Sequence, residues 1–100
     1  MVHMFKVKMV DVDGKKFHGL KVKFDDIPPL LLLKGGKGFV MCGYLNIEAA
    51  EKVGSAAAIV SGVNSFEDVL NAEIKAVTTK ARGLGLETGR IVREVIGLLE

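Results

Sequence analysis

The sequence predicts an α+β domain, in which a mixed sheet of about five strands carries helices packed on one face. Two observations predict this class. Apolar and charged residues alternate with the period of strands near the N-terminus, and helix caps with helix-spaced apolar residues follow in the second half. The 100 residues, 49% of them hydrophobic, suffice for one domain with a core. Because a chain this short buries only a modest share of its surface when it folds, its stability as a monomer should be modest. We therefore expect it to form a homo-oligomer.

The first two strands form a predicted hairpin. Residues 3–12 and 16–24 alternate, and Asp13-Gly14 between them suits a two-residue type I′ turn. This turn places Met9 opposite His18. The apolar side of the hairpin, expected to face the core, consists of Phe5, Val7, Met9, His18, Leu20 and Val22. The lysines of the same segments, expected to face water, are Lys6, Lys8, Lys21 and Lys23.

A second hairpin is predicted from two apolar segments, Leu30 to Leu33 and Phe39 to Tyr44. The glycine-rich segment 34–38 between them is a turn rather than a phosphate loop, because a strand and not a helix follows it. Asn46 is the predicted N-cap of a helix over residues 47–53 that stops at Gly54. Residues 56–62 form a crossover strand, which implies a parallel pair in the sheet.

Three more helices are predicted toward the C-terminus. Ser65 opens a helix of about two turns with a sequence that resembles a capping box. Gly85 is the C-cap of the next helix and Thr88 caps the last. The apolar face of the middle helix is Ile74, Val77, Ala81 and Leu84, although Val77 and the two threonines after it also suit a strand. The stripe of the last helix is Ile91, Val92, Val95, Leu98 and Leu99.

Composition excludes several classes of protein. A formal charge of +2 is too small to indicate a nucleic acid or an anionic membrane as partner. One cysteine cannot form an internal disulfide, and the longest apolar segment falls far short of the ~20 residues that span a bilayer. We therefore expect a cytoplasmic protein. No spaced set of metal ligands occurs and no cofactor is predicted.

Cys42 is the candidate catalytic residue, at the edge of a pocket where Gly43 lets a ligand approach the backbone. His18 or Arg90 would have to activate the thiol, and the sequence does not bring either one to it. The alternative is that Cys42 is a small, packed core residue.

One site for a small anion is also predicted. Gly89-Arg90 at the start of the last helix would hold a small anion, unless Arg90 pairs with Glu87 or Glu94. The candidate ligand-binding residues are thus Arg90, Gly89, Gly43 and His18. The directly opposed Lys6 and Lys21 indicate either an anionic partner or a solvated face that prevents aggregation.

A family resemblance rests on segment 38–45, on Gly62-Val63, on segment 81–85 and on segment 88–90. Together these segments resemble the YunC-like family, which consists of small bacterial and archaeal proteins of unknown function. The resemblance extends from about residue 15 to the end of the chain. The chain departs from the family where Ile91 replaces the glutamate that often follows the arginine. The resemblance implies an α+β fold and no established activity.

The sequence therefore favours a binding or assembly module, self-associated and with a possible small-anion site. The main alternative is a small thiol-dependent enzyme that uses Cys42. A weaker alternative is nucleic-acid binding through the lysine face of the sheet, although no aromatic residues are interleaved with these lysines for base stacking.

Overall fold

The structure, a computed structural model, describes residues 5–100. It confirms the α+β class and the mixed sheet, with six strands rather than about five. The strands are β1 (Phe5–Val12), β2 (Lys15–Val22), β3 (Leu30–Lys34), β4 (Phe39–Met41), β5 (Ala57–Ile59) and β6 (Ala76–Val77). The helices are α1 (Ile47–Lys52), α2 (Phe66–Asn71), α3 (Thr79–Gly83) and α4 (Val92–Val95), with a 3₁₀ helix at Ile96–Leu99. The strands lie in the sheet in chain order, and only β4 and β5 pair in parallel.

The first hairpin has the predicted turn and register. Asp13 and Gly14 both have positive φ, 53° and 85°, as a type I′ turn requires. The Gly14 N–H donates to Oδ1 of Asp11 at 2.9 Å, which closes the turn. Met9 lies opposite His18 as expected. The first two residues of the predicted strand, His3 and Met4, lie outside the described residues.

The face of the hairpin that packs on the core is the opposite of the predicted one. Phe17 is fully buried, whereas Phe5 and Val7 are 65% and 73% exposed. His18, predicted on the core side, is exposed. The reason lies in Gly19, where a Cβ would come 2.8 Å from the Phe66 ring. Because α2 docks against this glycine, the helices cover the side of the sheet that carries Val10, Val12 and Phe17.

We call this covered side the helix face. Its core is built from alternate residues of the strands together with α2, α4 and the 3₁₀ helix. Its fully buried side chains include Phe17, Leu31, Leu33, Val40, Ile74, Leu86, Ile96 and Leu99. One helix, α1, lies on the other side, where Ala49, Ala50 and Val53 line a groove with Phe39 and Met41. The sheet is therefore not packed by helices on one face alone.

The β4–α1–β5 crossover forms as the sequence predicted. The Asn46 side chain accepts the N–H groups of Glu48 and Ala49, which caps α1. Gly54 has a φ of +78° and follows the helix end. Ser65 caps α2 by accepting the Asp68 N–H at 3.1 Å.

Two predictions for the last third were wrong. The apolar face from Ile74 to Leu84 does not belong to one helix, because Val77 lies in β6 and α3 begins only after Thr78. The buried Thr78 hydroxyl donates to the Ser55 carbonyl at 2.6 Å and accepts the Ala57 N–H at 3.0 Å. These bonds hold the segment extended beside β5. Thr88 does not cap the last helix, which starts at Val92 without a side-chain cap.

The predicted turn at residues 34–38 receives the C-terminal segment. The Gly36 N–H donates to the Glu100 carbonyl at 2.9 Å, and the Lys37 N–H donates to the Leu99 carbonyl at 2.8 Å. A Cβ at Gly35 would lie 2.2 Å from the Leu99 oxygen. These glycines are therefore required by a close backbone approach. Among the helices of the described residues, none has the length and apolar character to cross a bilayer.

Candidate functional site

Two cavities contain residues that the sequence analysis selected. The first, which we call the Cys42 cleft, lies beyond the ends of β4 and β5. The second, the lysine cleft, lies between β1, β2 and the start of α2. They differ in chemistry, since the first has an uncharged lining and the second has three lysines.

The position of the Cys42 cleft follows from the parallel pairing. Parallel strands end at the same edge of a sheet, and the loops that leave them diverge and open a crevice there. Residues 42–44 follow β4 and residues 61–64 follow β5, and together with Pro28 and Pro29 they line a cavity of about 310 Å³. This volume lies at the lower end of the ~300–1,000 Å³ usual for small-molecule sites.

The Cys42 thiol is partnered and largely buried. Its side chain is 5% exposed, and Sγ accepts the Leu31 N–H at 3.3 Å. The Pro29 carbonyl lies 3.9 Å from the same sulfur. No Lys, Arg, His, Asp or Glu among the described residues lines this cleft. The arrangement thus holds a thiol without a neighbouring base or cation, and such a group is what a nucleophilic thiol needs.

The other predicted site residues are only partly brought together. Gly43 lines the Cys42 cleft, and a Cβ added to it would meet no atom within 4 Å. His18 lies on β2 opposite Lys34, on the side of the sheet away from α2. Arg90 pairs with Glu87 at 3.9 Å and with Glu94 at 3.6 Å, one of the two alternatives that the sequence left open. Gly89 has a φ of +92° in the turn before α4.

The lysine cleft has a volume of about 420 Å³. Lys6 lies directly opposite Lys21 on the helix face, and Lys8 is the next residue along β1 on that face. Phe66 and Leu70 form the apolar part of the lining. Within residues 5–100, none of these three amines lies within 4.0 Å of a carboxylate.

Two carboxylates border the lysine cleft, and each already binds another cation. Asp11 pairs with Lys16 at 2.5 Å, and this bond, together with the Gly14 N–H, holds the pKa of the carboxyl below its ordinary value of 3.8. Glu67 pairs with Arg93 across α2 and α4. The lysine cleft is therefore positively charged and its lysines are uncompensated.

The three lysines lie on the helix face and not on the side opposite the core as predicted, although Lys6 and Lys8 are exposed as expected of a solvated face. Their predicted solvated face is the helix face, where α2 makes the surface concave. Gly19 was the available signal, because a glycine interrupts an otherwise apolar and lysine-rich strand where the Phe66 ring packs. Among residues 5–100, no group of three His, Cys, Asp or Glu side chains is arranged to hold a metal ion.

Comparisons with known proteins return relatives of unknown function. The model of a family described as "Domain of unknown function (DUF1805)" matches residues 41–99. "Uncharacterized protein YunC" of Bacillus subtilis (strain 168) is 26% identical over 97 residues, which cover 93% of this chain and 95% of that protein. The crystal structure of TA1206 from Thermoplasma acidophilum, titled a protein of unknown function, is 36% identical with a TM-score of 0.91. The match covers 97% of this chain and 94% of the TA1206 chain.

Proposed function

This chain belongs to the DUF1805 family, a domain of unknown function, and from that premise we propose that it is a self-associating module that binds a small multivalent anion in the lysine cleft. The family membership agrees with the resemblance seen in the sequence. The anion site moves from the predicted Gly89-Arg90 pair to Lys6, Lys8 and Lys21. We also place the module in the reducing cytoplasm, where Cys42 remains a free thiol.

The observation that carries this proposal is the convergence of three uncompensated amines in one concavity. Directly opposed like charges on neighbouring strands destabilise a sheet by several tenths of a kcal/mol. A bound anion with two or more negative charges removes this repulsion and gains charge-assisted hydrogen bonds. Lysine amines act as point charges on flexible stems, which suits phosphate or polycarboxylate groups without fixing one geometry.

The other predicted functions have less support. At Gly89-Arg90 the guanidinium already has two carboxylate partners, and α4 is only four residues long. The thiol-dependent enzyme lacks a base or a cation in the Cys42 cleft. Nucleic-acid binding would need aromatic rings for stacking, and the ring in the lysine cleft, Phe66, is only 9% exposed because it packs on Gly19.

Thermal unfolding with inorganic phosphate and with citrate, each against sodium chloride of equal ionic strength, tests the proposal. A ligand at tenfold excess over its Kd stabilises the folded state by ~1.4 kcal/mol, which for a domain of this size raises Tm by roughly 6–10 °C. We expect such a rise for wild type and its loss in Lys6→Gln/Lys21→Gln.

The matched control is Lys52→Gln/Lys80→Gln, which removes the same charge from exposed helix positions. It should keep the response. Equal responses in both double variants, or no response of wild type to either anion, would refute the anion proposal.

A further inference from the structure

The Cys42 cleft is lined by backbone N–H groups that the fold leaves unused. One of its loops is the turn at residues 42–45, which the Leu45 N–H closes by donating to the Cys42 carbonyl at 3.2 Å. Among residues 5–100, no group accepts the N–H of residues 43 and 44 or those of residues 61–63 in the other loop. Two loops with free donors therefore meet at one cavity.

Val63 has the most unusual of these donors. The residue is only 4% exposed, and buried N–H groups without an acceptor are rare because leaving one unpaired costs about as much as a lost hydrogen bond. The next residue shows the usual arrangement, since the Asn64 N–H donates to Oδ2 of Asp68 at 3.0 Å. Because Val63 lines the cavity, an acceptor bound there would complete its hydrogen bonding.

Gly43 is a glycine that the fold itself does not require. It is not among the glycines with positive φ, and a Cβ added to it would meet no atom within 4 Å. Neither the turn nor the packing therefore excludes a side chain at this position. A glycine beside a cavity lets a ligand approach the backbone closely. The open space at Gly43 is thus space that a ligand can fill.

The rest of the lining indicates the chemical class of ligand. Pro28, Pro29 and the Tyr44 ring supply apolar surface, and no charged side chain of the described residues lines the cleft. An ion would lose hydration there without gaining a partner of opposite charge. The volume of about 310 Å³ corresponds to roughly ten water molecules, which suits a ligand of about ten non-hydrogen atoms.

We propose that the Cys42 cleft binds an uncharged aromatic amide of this size. Its ring lies against the two prolines and Tyr44, and its amide oxygen accepts the Val63 N–H. Asn64 carries a side-chain amide in the same lining, and this group complements the donor and the acceptor of the ligand's amide. The Tyr44 hydroxyl donates to the Pro28 carbonyl at 2.6 Å, which holds two parts of the apolar surface in place before a ligand binds.

The proposed site uses neither the thiol nor the lysines. The Cys42 sulfur already accepts the Leu31 N–H at 3.3 Å and lies 3.9 Å from the Pro29 carbonyl. The Cys42 cleft and the lysine cleft share no lining residue. Binding of an amide therefore goes beyond the anion proposal and does not depend on it.

Titration of isotope-labelled protein with benzamide and with N-methylbenzamide, followed by amide NMR, tests this site. We expect the cross-peaks of residues 43, 44 and 61–63 to shift, with a dissociation constant in the millimolar range or below, as is usual for so small a ligand. Benzoate has nearly the same shape and a negative charge. It should bind at least about tenfold more weakly, because the cleft offers no cation.

Two glycine variants locate the binding. Gly43→Leu fills the open space and should weaken binding of benzamide at least about tenfold. The matched control Gly83→Leu adds the same side chain at another exposed glycine where a Cβ meets no atom within 4 Å, and it should bind as wild type does. The amide spectrum verifies that each variant folds, and Gly43→Ala takes the place of Gly43→Leu if the larger side chain prevents folding.

Four results would each overturn the proposal. They are no shift with either amide, shifts confined to residues outside the Cys42 cleft, benzoate binding as tight as that of benzamide, and equal binding by the Gly43 and Gly83 variants. The anion proposal stands or falls separately, through the response of the lysine variants to phosphate and citrate.

Discussion

Val7 and Leu20 lie directly opposite each other across β1 and β2, on the side of the sheet that α2 and α4 do not cover. Their neighbours in sequence, Lys6 and Lys21, are opposed in the same way on the helix face. The hairpin therefore presents lysines to a concavity beside α2 and apolar side chains to the outside. The proposed binding of an anion in the lysine cleft depends on this orientation.

The opposed lysines predict an unusual effect on the stability of the ligand-free protein. In Lys6→Gln/Lys21→Gln the repulsion disappears, so the free energy of unfolding should rise by about 0.2–1 kcal/mol in dilute buffer. Salt screens the same repulsion, so the gain should shrink in 0.5 M sodium chloride, a concentration at which the Debye length is only several Å. Urea unfolding at both salt concentrations measures it. A less stable variant, or a gain that salt does not alter, would contradict uncompensated lysines.

The turn that receives the C-terminal segment predicts a large difference between two glycines. Gly35→Ala places a Cβ 2.2 Å from the Leu99 oxygen, so it should cost about 1–3 kcal/mol. Gly43→Ala meets nothing within 4 Å, so it should be neutral or slightly stabilising. Urea unfolding of the two variants provides the comparison. Equal losses would mean that the chain end does not pack against Gly35.

Glu51 links α1 to α3 and predicts a dependence of stability on pH. Its carboxylate accepts the Thr79 N–H at 2.8 Å, and bonds to Thr79 hold its pKa below the ordinary value of 4.5. A carboxyl with a lowered pKa in the folded state stabilises that state above its unfolded pKa. The contribution is lost as pH falls through the folded value.

Wild type should therefore lose more stability than Glu51→Gln between pH 6 and pH 3, and the two should converge at the acid end. Urea midpoints measured at intervals across this range test the linkage. Identical pH profiles would show that the Glu51–Thr79 contact does not form.

The burial of Cys42 predicts low thiol reactivity. The sulfur is 5% exposed and accepts a backbone N–H, so alkylation requires a local opening of the Pro28–Leu31 segment. Iodoacetamide should react at least about tenfold more slowly with the folded protein than with the urea-unfolded chain at the same pH. A faster reaction in the folded state would revive the thiol-dependent enzyme.

Local chemistry made much of the fold predictable. The Asp13-Gly14 turn and the period of two determined the pairing of Met9 with His18, and Asn46 and Ser65 marked two helix starts. Alternation identifies which residues share a face, and it cannot say which face the helices cover. That choice depends on contacts distant in sequence, above all Phe66 on Gly19.

The same limit explains the other errors. Thr78 lies extended because its hydroxyl bonds to Ser55 and Ala57, more than twenty residues away. Val77 and Ile74 matched a helical spacing that these bonds override. Of the predicted site residues, Cys42 and Gly43 share a cleft because they adjoin in sequence. His18 and Arg90 lie elsewhere, since nothing local could place them.

The orientation of the first hairpin is tested most directly by comparing the free energies of unfolding of Phe17→Ala and Phe5→Ala. Both are measured by urea unfolding at protein concentrations low enough for the protein to be monomeric. Phe17 is fully buried on the helix face, and Phe5 is 65% exposed on the opposite side of the sheet. We predict a loss of about 3–5 kcal/mol, or of the folded state altogether, for Phe17→Ala, and less than about 0.5 kcal/mol for Phe5→Ala. A larger loss for Phe5→Ala than for Phe17→Ala would show that the hairpin packs the other way around, and would remove the lysine cleft on which the proposed function rests.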